Sequence, residues 1–335
     1  MTDFPYKKIS IIGDGAMGSV LAMLLCEKKL SVRMWGYDSK QLMEIKSAGV
    51  NIKFLPGYKL PVELVFEPDD KRIMTDADLI VSAVPCQFMR AIWQRLEKHT
   101  PKDVPVVSIA KGIENDTLLR PEQIIKDVLG NEIECLALSG PTIADELARK
   151  LPAVACAACG DEKLAKNVQI TFNAPWFRVY TNTDIVGVEL AGAMKNIIAI
   201  AAGIIDGIGA GDNAKAALLS RGLAEITRLG VAMGAEPATF VGLTGLGDLV
   251  TTCISPKGRN RSFGERIGKG RSVEEAIDAT DSVVEGIATC ESVIALASPF
   301  NVEMPITQAV YDILFRSKPV ETAISDLMAR QLKAE

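Results

Sequence analysis

The chain has 335 residues, which is longer than one hydrophobic core usually supports, so its length predicts two domains. Its net charge of −5 lacks the basic excess expected of a nucleic-acid-binding protein. A hydrophobic content of 48% is typical of an ordinary soluble globular protein.

The first half of the chain alternates short apolar runs with amphipathic stretches, which is typical of a doubly wound α/β sheet. The apolar runs predict buried parallel strands at 9–12, 32–35, 78–84, 106–109 and 135–138, with two further strands at 153–158 and 177–180. The stretches between them predict helices at 17–28, 39–48, 87–98 and 121–129.

After about residue 185 the pattern changes, and long helical periodicities follow one another without a convincing strand. Helices are predicted at 186–205, 213–233, 237–243, 263–268, 272–279, 285–297 and 304–315. The predicted fold is therefore an α/β N-terminal Rossmann-type doubly wound sheet over residues 1–185, followed by an all-α C-terminal domain over residues 186–335.

The sequence GDGAMG at Gly13–Gly18 lies between the first predicted strand and the first predicted helix. In dinucleotide-binding folds, glycines in this pattern allow a tight turn, close approach of a pyrophosphate and helix–strand packing. The helix N-terminus then offers unpaired N–H groups to the phosphates. The segment predicts a dinucleotide site, with a purely structural glycine turn as the alternative.

The end of the second strand leaves the choice of NAD or NADP open. An acid that binds the adenosine ribose would be expected at the strand tip, but Gly36 lies there and Asp38 comes slightly late. No arginine follows that could receive a 2′-phosphate, although Arg33 is nearby.

Lys195 is the only charge between Glu189 and Asp206, in a helix of small and apolar residues. Burial of a lysine favours its neutral form and suits it to proton transfer near neutral pH. A lysine that extends to the surface is the alternative. His99, the only histidine, lies in a polar helix end, so it is a poor candidate for the proton carrier of a dehydrogenase. This elimination favours Lys195.

Two further segments carry charges suited to a site. Asp248, in the glycine-flanked turn GLGD, would orient the Lys195 ammonium, or would cap a helix instead. The cations Lys257, Arg259 and Arg261 lie within five positions of one another, which predicts a site for a phosphorylated substrate. A solvated basic loop is the alternative.

The seven cysteines are scattered, and we expect all of them to be reduced core residues, which indicates the cytoplasm. No metal site and no secretory signal are predicted. The longest apolar run contains Lys195 and many small residues, so we expect no membrane span.

Across nearly its whole length the chain resembles the bacterial form of NAD(P)-dependent glycerol-3-phosphate dehydrogenase. The matching segments, in this order, are Gly13–Gly18, Ala110–Gly112, Ser139–Thr142, Gly192–Asn196, Gly245–Asp248, Gly258–Arg261 and Val283–Gly286. The sequence departs from the family pattern at Ala16, Met17, Ser19, Tyr37 and Ile143. These differences leave the chemistry intact and concern individual cofactor contacts.

The resemblance implies reversible hydride transfer between NAD(P)H and dihydroxyacetone phosphate, giving sn-glycerol 3-phosphate for glycerophospholipid synthesis. It implies Lys195 as general acid/base, with Asp248, Asn196 and Thr252 in support. With Lys195 and Asp248, the implied substrate-binding residues are Lys111, Gly140, Thr142, Gly258, Arg259 and Asn260. The implied cofactor-binding residues are Gly13, Gly15, Ala16, Met17, Gly18, Tyr37, Lys111, Ala144, Arg259, Val283 and Glu285. A homodimer is also implied.

Two other functions are consistent with parts of the sequence. A 3-hydroxyacid or 6-phosphogluconate-type dehydrogenase shares a glycine-rich first domain and a helical second domain with a catalytic lysine. A non-catalytic dinucleotide-sensing regulator would bind the cofactor, but it would need neither a buried proton carrier nor a compact basic site.

Overall fold

The computed structural model describes residues 4–280 and 282–332, which cluster into two compact units. The first unit comprises the described residues up to Lys111 together with Leu119–Glu189. The second comprises Gly112–Leu118 together with the described residues from Leu190 onward. The chain therefore passes from one unit to the other three times.

The first unit is built on an eight-stranded sheet in the order β3-β2-β1-β4-β5-β6-β7-β8. Neighbouring strands are parallel except for β6 and β7, which are antiparallel, so the sheet is mixed. The strands are β1 Lys8–Ile12, β2 Ser31–Trp35, β3 Val65–Phe66, β4 Leu79–Ser82, β5 Val106–Ser108, β6 Cys135–Ser139, β7 Ala153–Ala158 and β8 Phe177–Asn182.

Seven of these strands match the predicted ones, and the predicted fold class is confirmed. The central strands β4 and β6 are buried along their whole length, which explains their continuous apolar runs. The short strand β3 was not predicted. Parallel pairing was predicted for β1, β2, β4, β5 and β6, and it is observed among them. Strand β7, predicted only as a further strand, runs antiparallel to β6.

The helices of the first unit include three that the apolar periodicity did not predict: α3, α6 and α7. Asp38 caps α2, Asp69 caps α3 and Asp161 caps α7, each by accepting backbone N–H bonds. The helices are α1 Ala16–Glu27, α2 Ser39–Ala48, α3 Asp70–Met74, α4 Cys86–Leu96, α5 Pro121–Leu129, α6 Ala144–Ala148 and α7 Glu162–Phe172.

The second unit is helical, and no strand occurs in its described part. The first helix, α8, runs from Ile185 and so begins in the first unit, five residues before the division at Leu190. The helices are α8 Ile185–Ile208, α9 Gly211–Ala232, α10 Pro237–Phe240, α11 Asp248–Ile254, α12 Arg259–Gly268, α13 Val273–Asp278, α14 Glu285–Ala297, α15 Pro305–Arg316 and α16 Val320–Met328. Helix α16 was not predicted.

Helices α8 and α12 approach each other closely because glycines remove the side chains between them. A Cβ on Gly203 would lie 1.9 Å from the carbonyl oxygen of Arg261, and one on Gly264 would lie 2.0 Å from that of Ile200. The backbones of α8 and α12 are therefore in direct contact where the two helices cross. This contact fixes the position of α8 relative to α12.

Two stretches are apolar and long enough to cross a membrane by composition alone, Ile185–Ile208 and Pro237–Ile254. In Ile185–Ile208, 94% of the apolar window is buried inside the protein, as in a core helix. Pro237–Ile254 consists of α10, a π-helical turn and α11 rather than one regular helix.

The segment Gly112–Leu118, which we call the strap, is bound to α14 of the second unit. The Ser292 Oγ lies 3.1 Å from the Ile113 carbonyl oxygen and 2.5 Å from Asn115 Oδ1. Asn115 Nδ2 also donates to Glu291 Oε2 at 2.9 Å. The residues on both sides of the strap in the chain belong to the first unit. These bonds hold the strap itself in the second unit.

Candidate active site

Lys195 is buried in the middle of α8, with 6% of its surface exposed. Its Nζ donates to Asp248 Oδ1 at 2.8 Å and to Thr252 Oγ1 at 2.5 Å. The structure thus contradicts the alternative of a lysine extending to solvent. It places three of the four predicted catalytic residues in direct contact.

Helix α11 presents Asp248 and Thr252 together because residues four apart lie on the same face of a helix. A π-helical turn, Leu243–Gly247, precedes α11, and such turns are frequent at functional sites. A Cβ on Gly245 would lie 2.0 Å from the Phe240 carbonyl oxygen, so the turn can pack there only with glycine. Gly245 therefore positions the turn that leads into Asp248.

The Asp248 carboxylate belongs to the lysine site rather than to a helix cap. Asp248 is the first residue of α11, after Gly247 at the cap position, and its side chain is 2% exposed. A buried ammonium and a buried carboxylate are each costly alone, and each offsets the desolvation of the other. The Thr252 hydroxyl donates to the Asp248 carbonyl oxygen at 2.7 Å, which leaves its oxygen to accept from Lys195.

The neighbouring thiol takes no part in this charge balance. Cys253 follows Thr252 in α11 and is fully buried. Burial raises the pKa of its thiol to about 12, so the thiol stays protonated at neutral pH. All seven cysteines are buried and reduced, as predicted.

Asn196, the fourth predicted catalytic residue, joins a second polar network on α8. Asn260 Nδ2 donates to Asn196 Oδ1 at 3.0 Å, and the Gly286 N–H donates to Asn260 Oδ1 at 3.0 Å. Because Lys195 and Asn196 are adjacent, one point of α8 is tied to α11, α12 and α14.

Arg259 is exposed at the start of α12, after Gly258 at the N-cap position. Its Nη1 donates to the Val283 carbonyl oxygen at 3.2 Å, and Glu285 begins α14 two residues beyond Val283. The structure thus brings together the predicted cofactor-binding residues Arg259, Val283 and Glu285.

The predicted basic loop is corrected in one respect: Arg259–Arg261 form the first turn of α12, which begins at Arg259 rather than at 263. Arg261 Nη2 contacts Asp206 Oδ2 at 2.5 Å, and its Nη1 contacts Glu265 Oε2 at 3.3 Å. These two carboxylates occupy its guanidinium, so Arg261 has a structural role within the helix crossing and is removed from the anion site.

The glycine-rich loop follows β1 in the first unit, and its three glycines have three different environments. Gly13 has a φ of +120°, a conformation that favours glycine, and a Cβ on Gly18 would lie 2.3 Å from the Gly13 carbonyl oxygen. Nothing lies within 4 Å of a Cβ on Gly15.

The loop fits a dinucleotide pyrophosphate on structural grounds. The open space beside Gly15 lies at the N-terminus of α1, whose first intrahelical bond runs from the Ser19 N–H to the Gly15 carbonyl oxygen. The N–H groups of the first turn, including those of Ala16 and Met17, precede that bond and suit an anion. Asn51, which is fully buried, holds the loop by donating to the Asp14 carbonyl oxygen at 2.7 Å. No sequence pattern pointed to Asn51.

Lys111, Gly140 and Thr142 converge at the end of β6. Lys111 Nζ donates to the Gly140 carbonyl oxygen at 2.8 Å, and the Thr142 hydroxyl donates to the same oxygen at 3.1 Å. Ala144 begins α6 two residues later. The carboxyl ends of β1, β2, β5 and β6 lie at the same edge of the sheet, which is the usual ligand edge in this fold.

Tyr37 follows the β2 tip and is 70% exposed. The Arg95 guanidinium lies over its ring at 5.6 Å and over that of Trp35 at 4.9 Å. Arg95 was not among the predicted residues, because its position in α4 gives no sequence signal of this contact.

Models of the two parts of NAD-dependent glycerol-3-phosphate dehydrogenase match the chain, the N-terminus over residues 8–165 and the C-terminus over residues 184–325. A glycerol-3-phosphate dehydrogenase (NAD(P)+) of Chlorobium phaeobacteroides (strain BS1) is 47% identical, covering 98% of this chain and 99% of the relative. The chain belongs to the NAD-dependent glycerol-3-phosphate dehydrogenase family. It is therefore an oxidoreductase that depends on NAD or NADP, which confirms the resemblance drawn from the motifs.

Solved structures agree with this assignment. The crystal structure of glycerol-3-phosphate dehydrogenase from Coxiella burnetii has a TM-score of 0.93 and 35% identity, covering 97% of this chain and 99% of that one. A ketopantoate reductase from Ralstonia eutropha has a TM-score of 0.59 and 15% identity, covering 96% and 99%. That second likeness shows the fold alone, so the sequence identity decides between the dehydrogenase classes that the motifs left open.

Proposed function

We propose that this chain catalyses reversible hydride transfer between NAD(P)H and C2 of dihydroxyacetone phosphate, giving sn-glycerol 3-phosphate, with Lys195 as the general acid/base. The contact of the buried Lys195 with Asp248 and Thr252 is the observation that carries the proposal. A proton carrier must be held in place and kept from bulk water, and Lys195 meets both conditions.

In the direction of reduction, the Lys195 ammonium gives a proton to the C2 oxygen as negative charge develops there. Its positive charge also stabilises that oxygen electrostatically. Asp248 keeps the ammonium oriented, and Thr252 fixes the Nζ from a second side. In the direction of oxidation the neutral amine takes the proton back from the alcohol.

NADH or NADPH, when bound, supplies the hydride that adds to C2. We assign its pyrophosphate to the loop Gly13–Gly18, including the first-turn N–H groups at Ala16 and Met17, because that loop leaves space and unpaired donors there. Tyr37 is proposed for the adenosine end, and Lys111, Ala144, Arg259, Val283 and Glu285 complete the proposed cofactor set.

The substrate phosphate is assigned to Arg259, whose guanidinium makes paired bonds to phosphate oxygens. Asn260 and Gly258 support it from the start of α12. Lys111 and Thr142, which share the Gly140 carbonyl oxygen, are proposed for the polar groups of the three-carbon chain.

Several wider expectations belong to the same proposal. We expect the ranges 1–185 and 186–335 to act as the cofactor and substrate domains, and the product to feed glycerophospholipid synthesis. We also propose that the chain forms a homodimer in the cytoplasm. We expect it to have no membrane span and no nucleic-acid partner. The cysteines are buried and form no disulfide, which supports the cytoplasm as a reducing compartment.

The test is a spectrophotometric assay at 340 nm with dihydroxyacetone phosphate, run separately with NADH and NADPH. We expect substrate-dependent oxidation of at least one cofactor and formation of sn-glycerol 3-phosphate. Turnover of hydroxyacids in place of the phosphorylated ketone would contradict the proposed substrate. Cofactor binding without any turnover would contradict the proposed enzyme.

A further inference from the structure

A side chain from the glycine-rich loop occupies the place beside the β2 tip where this fold usually carries an acid. A Cβ on Gly36 would lie 2.7 Å from Asp14 Oδ2 and 2.8 Å from Asp14 Cγ, which is closer than atoms approach in proteins. The absence of a side chain at Gly36 therefore makes room for the carboxyl of Asp14.

Asp14 is held in this position from two sides. Gln41 Nε2 donates to Asp14 Oδ2 at 2.9 Å, and the buried Asn51 donates to the Asp14 carbonyl oxygen at 2.7 Å. The residue is half-buried, and the bond from Gln41 orients its carboxyl. Burial raises the pKa of Asp14 above its ordinary value, and the hydrogen bond from Gln41 offsets only part of that rise.

Asp38, the acid nearest the strand tip in sequence, is engaged as a helix cap. Its Oδ1 accepts from the Lys40 N–H at 2.9 Å and from the Gln41 N–H at 3.3 Å, so it caps α2. This geometry is that of an ordinary N-cap. The acid expected at the strand tip is therefore supplied by Asp14 rather than by Asp38.

The arginines near the β2 tip are also engaged within the protein. Arg33 donates to the carbonyl oxygens of Arg72 and Thr75. Arg95 binds Asp70 through two bonds, of 2.7 and 2.8 Å. These contacts occupy the guanidinium groups that would otherwise suit a 2′-phosphate. The charge of Lys53 also acts on Asp14, but it offsets only a small part of the rise that burial causes in the pKa of Asp14.

In dinucleotide-binding folds, an acid at this place accepts a hydrogen bond from the 2′-hydroxyl of the adenosine ribose. The same acid repels the 2′-phosphate of NADP, because like charges are brought together. We infer that Asp14 selects the cofactor, accepting from the ribose 2′-hydroxyl and making the chain prefer NAD(H) over NADP(H). The inference rests on the proposed dinucleotide-dependent function and adds the choice of dinucleotide.

The test measures the Kd of NAD+ and of NADP+ by isothermal titration calorimetry, for the wild type and for Asp14→Asn, which keeps the size and removes the charge. We expect the wild type to bind NAD+ more tightly. A hydrogen bond to a charged group is worth roughly tenfold or more in affinity, so Asp14→Asn should narrow the Kd ratio by about that factor. An unchanged ratio, or a wild type that prefers NADP+, would overturn the inference.

Two controls separate Asp14 from its neighbours. Asp38→Asn keeps a good N-cap and removes one charge, so the ratio should stay near that of the wild type. Lys53→Met tests the cation that faces Asp14, and we expect only a small change. A larger shift in either control than in Asp14→Asn would assign the selection elsewhere.

Gly36→Ala gives an independent test, because its methyl group would displace the Asp14 carboxyl. Gly36→Ala should bring the Kd values of NAD+ and NADP+ closer together in the wild-type background. In an Asp14→Ala background it should have no further effect on their ratio. Equal effects in both backgrounds would show a direct clash with the ligand and would contradict the inference. Because binding is the readout, a failed assay with dihydroxyacetone phosphate would refute the proposed substrate without deciding the role of Asp14.

Discussion

The glycine-rich loop of the first unit and the lysine site of the second unit contribute to the proposed reaction by opposite means. The loop depends on side chains that are absent, since Gly13, Gly15 and Gly18 leave space for the backbone and for a ligand. The lysine site depends on charges that are paired, since Lys195 and Asp248 are buried together. Changes in the two regions should therefore alter different measured quantities.

The largest effect is expected in the lysine site. Lys195→Ala should lower kcat by roughly 10²–10⁴, because proton transfer loses its carrier, while the Kd of the dinucleotide stays nearly unchanged. Stopped-flow or steady-state assays at 340 nm and calorimetric binding measure the two quantities. Added methylamine should restore part of the turnover, which a purely structural defect would not allow.

Lys215→Ala is the matched control for this variant. Lys215 is also a lysine of the second unit that contacts a carboxylate, Asp206, at 2.7 Å. Its removal should leave kcat within a few-fold of the wild type. Wild-type turnover in Lys195→Ala would remove Lys195 from the mechanism.

The next effect concerns the loop, where Gly15→Ala and Gly18→Ala form a pair. The Gly15 backbone, with φ −72° and ψ −179°, accepts alanine, and nothing in the protein lies within 4 Å of the added methyl group. We expect Gly15→Ala to keep its stability and to lose roughly 10–100-fold in dinucleotide affinity, as the methyl group blocks close approach.

Gly18→Ala should instead lower stability, because its methyl group would lie 2.3 Å from the Gly13 carbonyl oxygen. Urea unfolding and calorimetric binding, measured on both variants, distinguish the two outcomes. Equal losses of stability in the two variants would contradict the distinction between a ligand-facing and a packing glycine.

A smaller effect is expected at Arg259. Arg259→Lys keeps the charge but loses the paired geometry, so the KM for dihydroxyacetone phosphate should rise by about tenfold. The KM for unphosphorylated dihydroxyacetone should hardly change. Arg261→Lys is the control: because Asp206 and Glu265 occupy Arg261, it should reduce stability and leave both KM values unchanged. Equal KM changes for both ketones would argue against a phosphate contact at Arg259.

The smallest effect on turnover is expected at Glu225, a fully buried carboxylate of α9 outside the proposed site. It accepts from the N–H groups of Ile306 and Thr307, at 2.9 and 2.8 Å, and so caps α15. Glu225→Gln should cost about 1–3 kcal/mol in the free energy of unfolding and leave kcat unchanged. A loss of kcat at equal stability would show that burial alone does not separate catalytic from structural carboxylates here.

The same residue predicts a pH dependence of stability. Burial raises the pKa of Glu225, so the folded state binds the proton more readily than the unfolded state. Stability from this group is therefore present below the unfolded value of 4.5 and declines as the pH rises through the folded value. Urea unfolding between pH 4.5 and 8 should show this decline in the wild type and less of it in Glu225→Gln.

The sequence predicted best the elements whose burial is continuous or strongly periodic. Strand β7 and helix α14 were predicted with their observed bounds, because each carries a long apolar pattern. Strand β3 has two residues and gives no pattern. The start of α12 was missed because Gly258, its N-cap, lies in a run of cations that resembles a loop.

For the site, motifs predicted which residues matter but not how they are paired. The GLGD segment pointed to Asp248, and the structure adds its contact with Lys195. The sequence could not separate Arg259 from Arg261, because the partner of Arg261, Asp206, lies far away along the chain. Asp14 was overlooked because an acid was sought after β2 rather than before α1. The glycine at position 36 was the available signal.

The strap has a consequence for any attempt to obtain the two halves as separate proteins. A fragment made by one cut at residue 185 would leave Asn115 in the N-terminal piece, whereas its partners Glu291 and Ser292 would be in the other. The N-terminal product would carry the strap without the helix that binds it. The C-terminal product would lack the strap, so it would not be a complete unit. To obtain the halves separately, residues 112–118 must stay with the C-terminal half. This can be done by circular permutation or by co-expression of the two pieces.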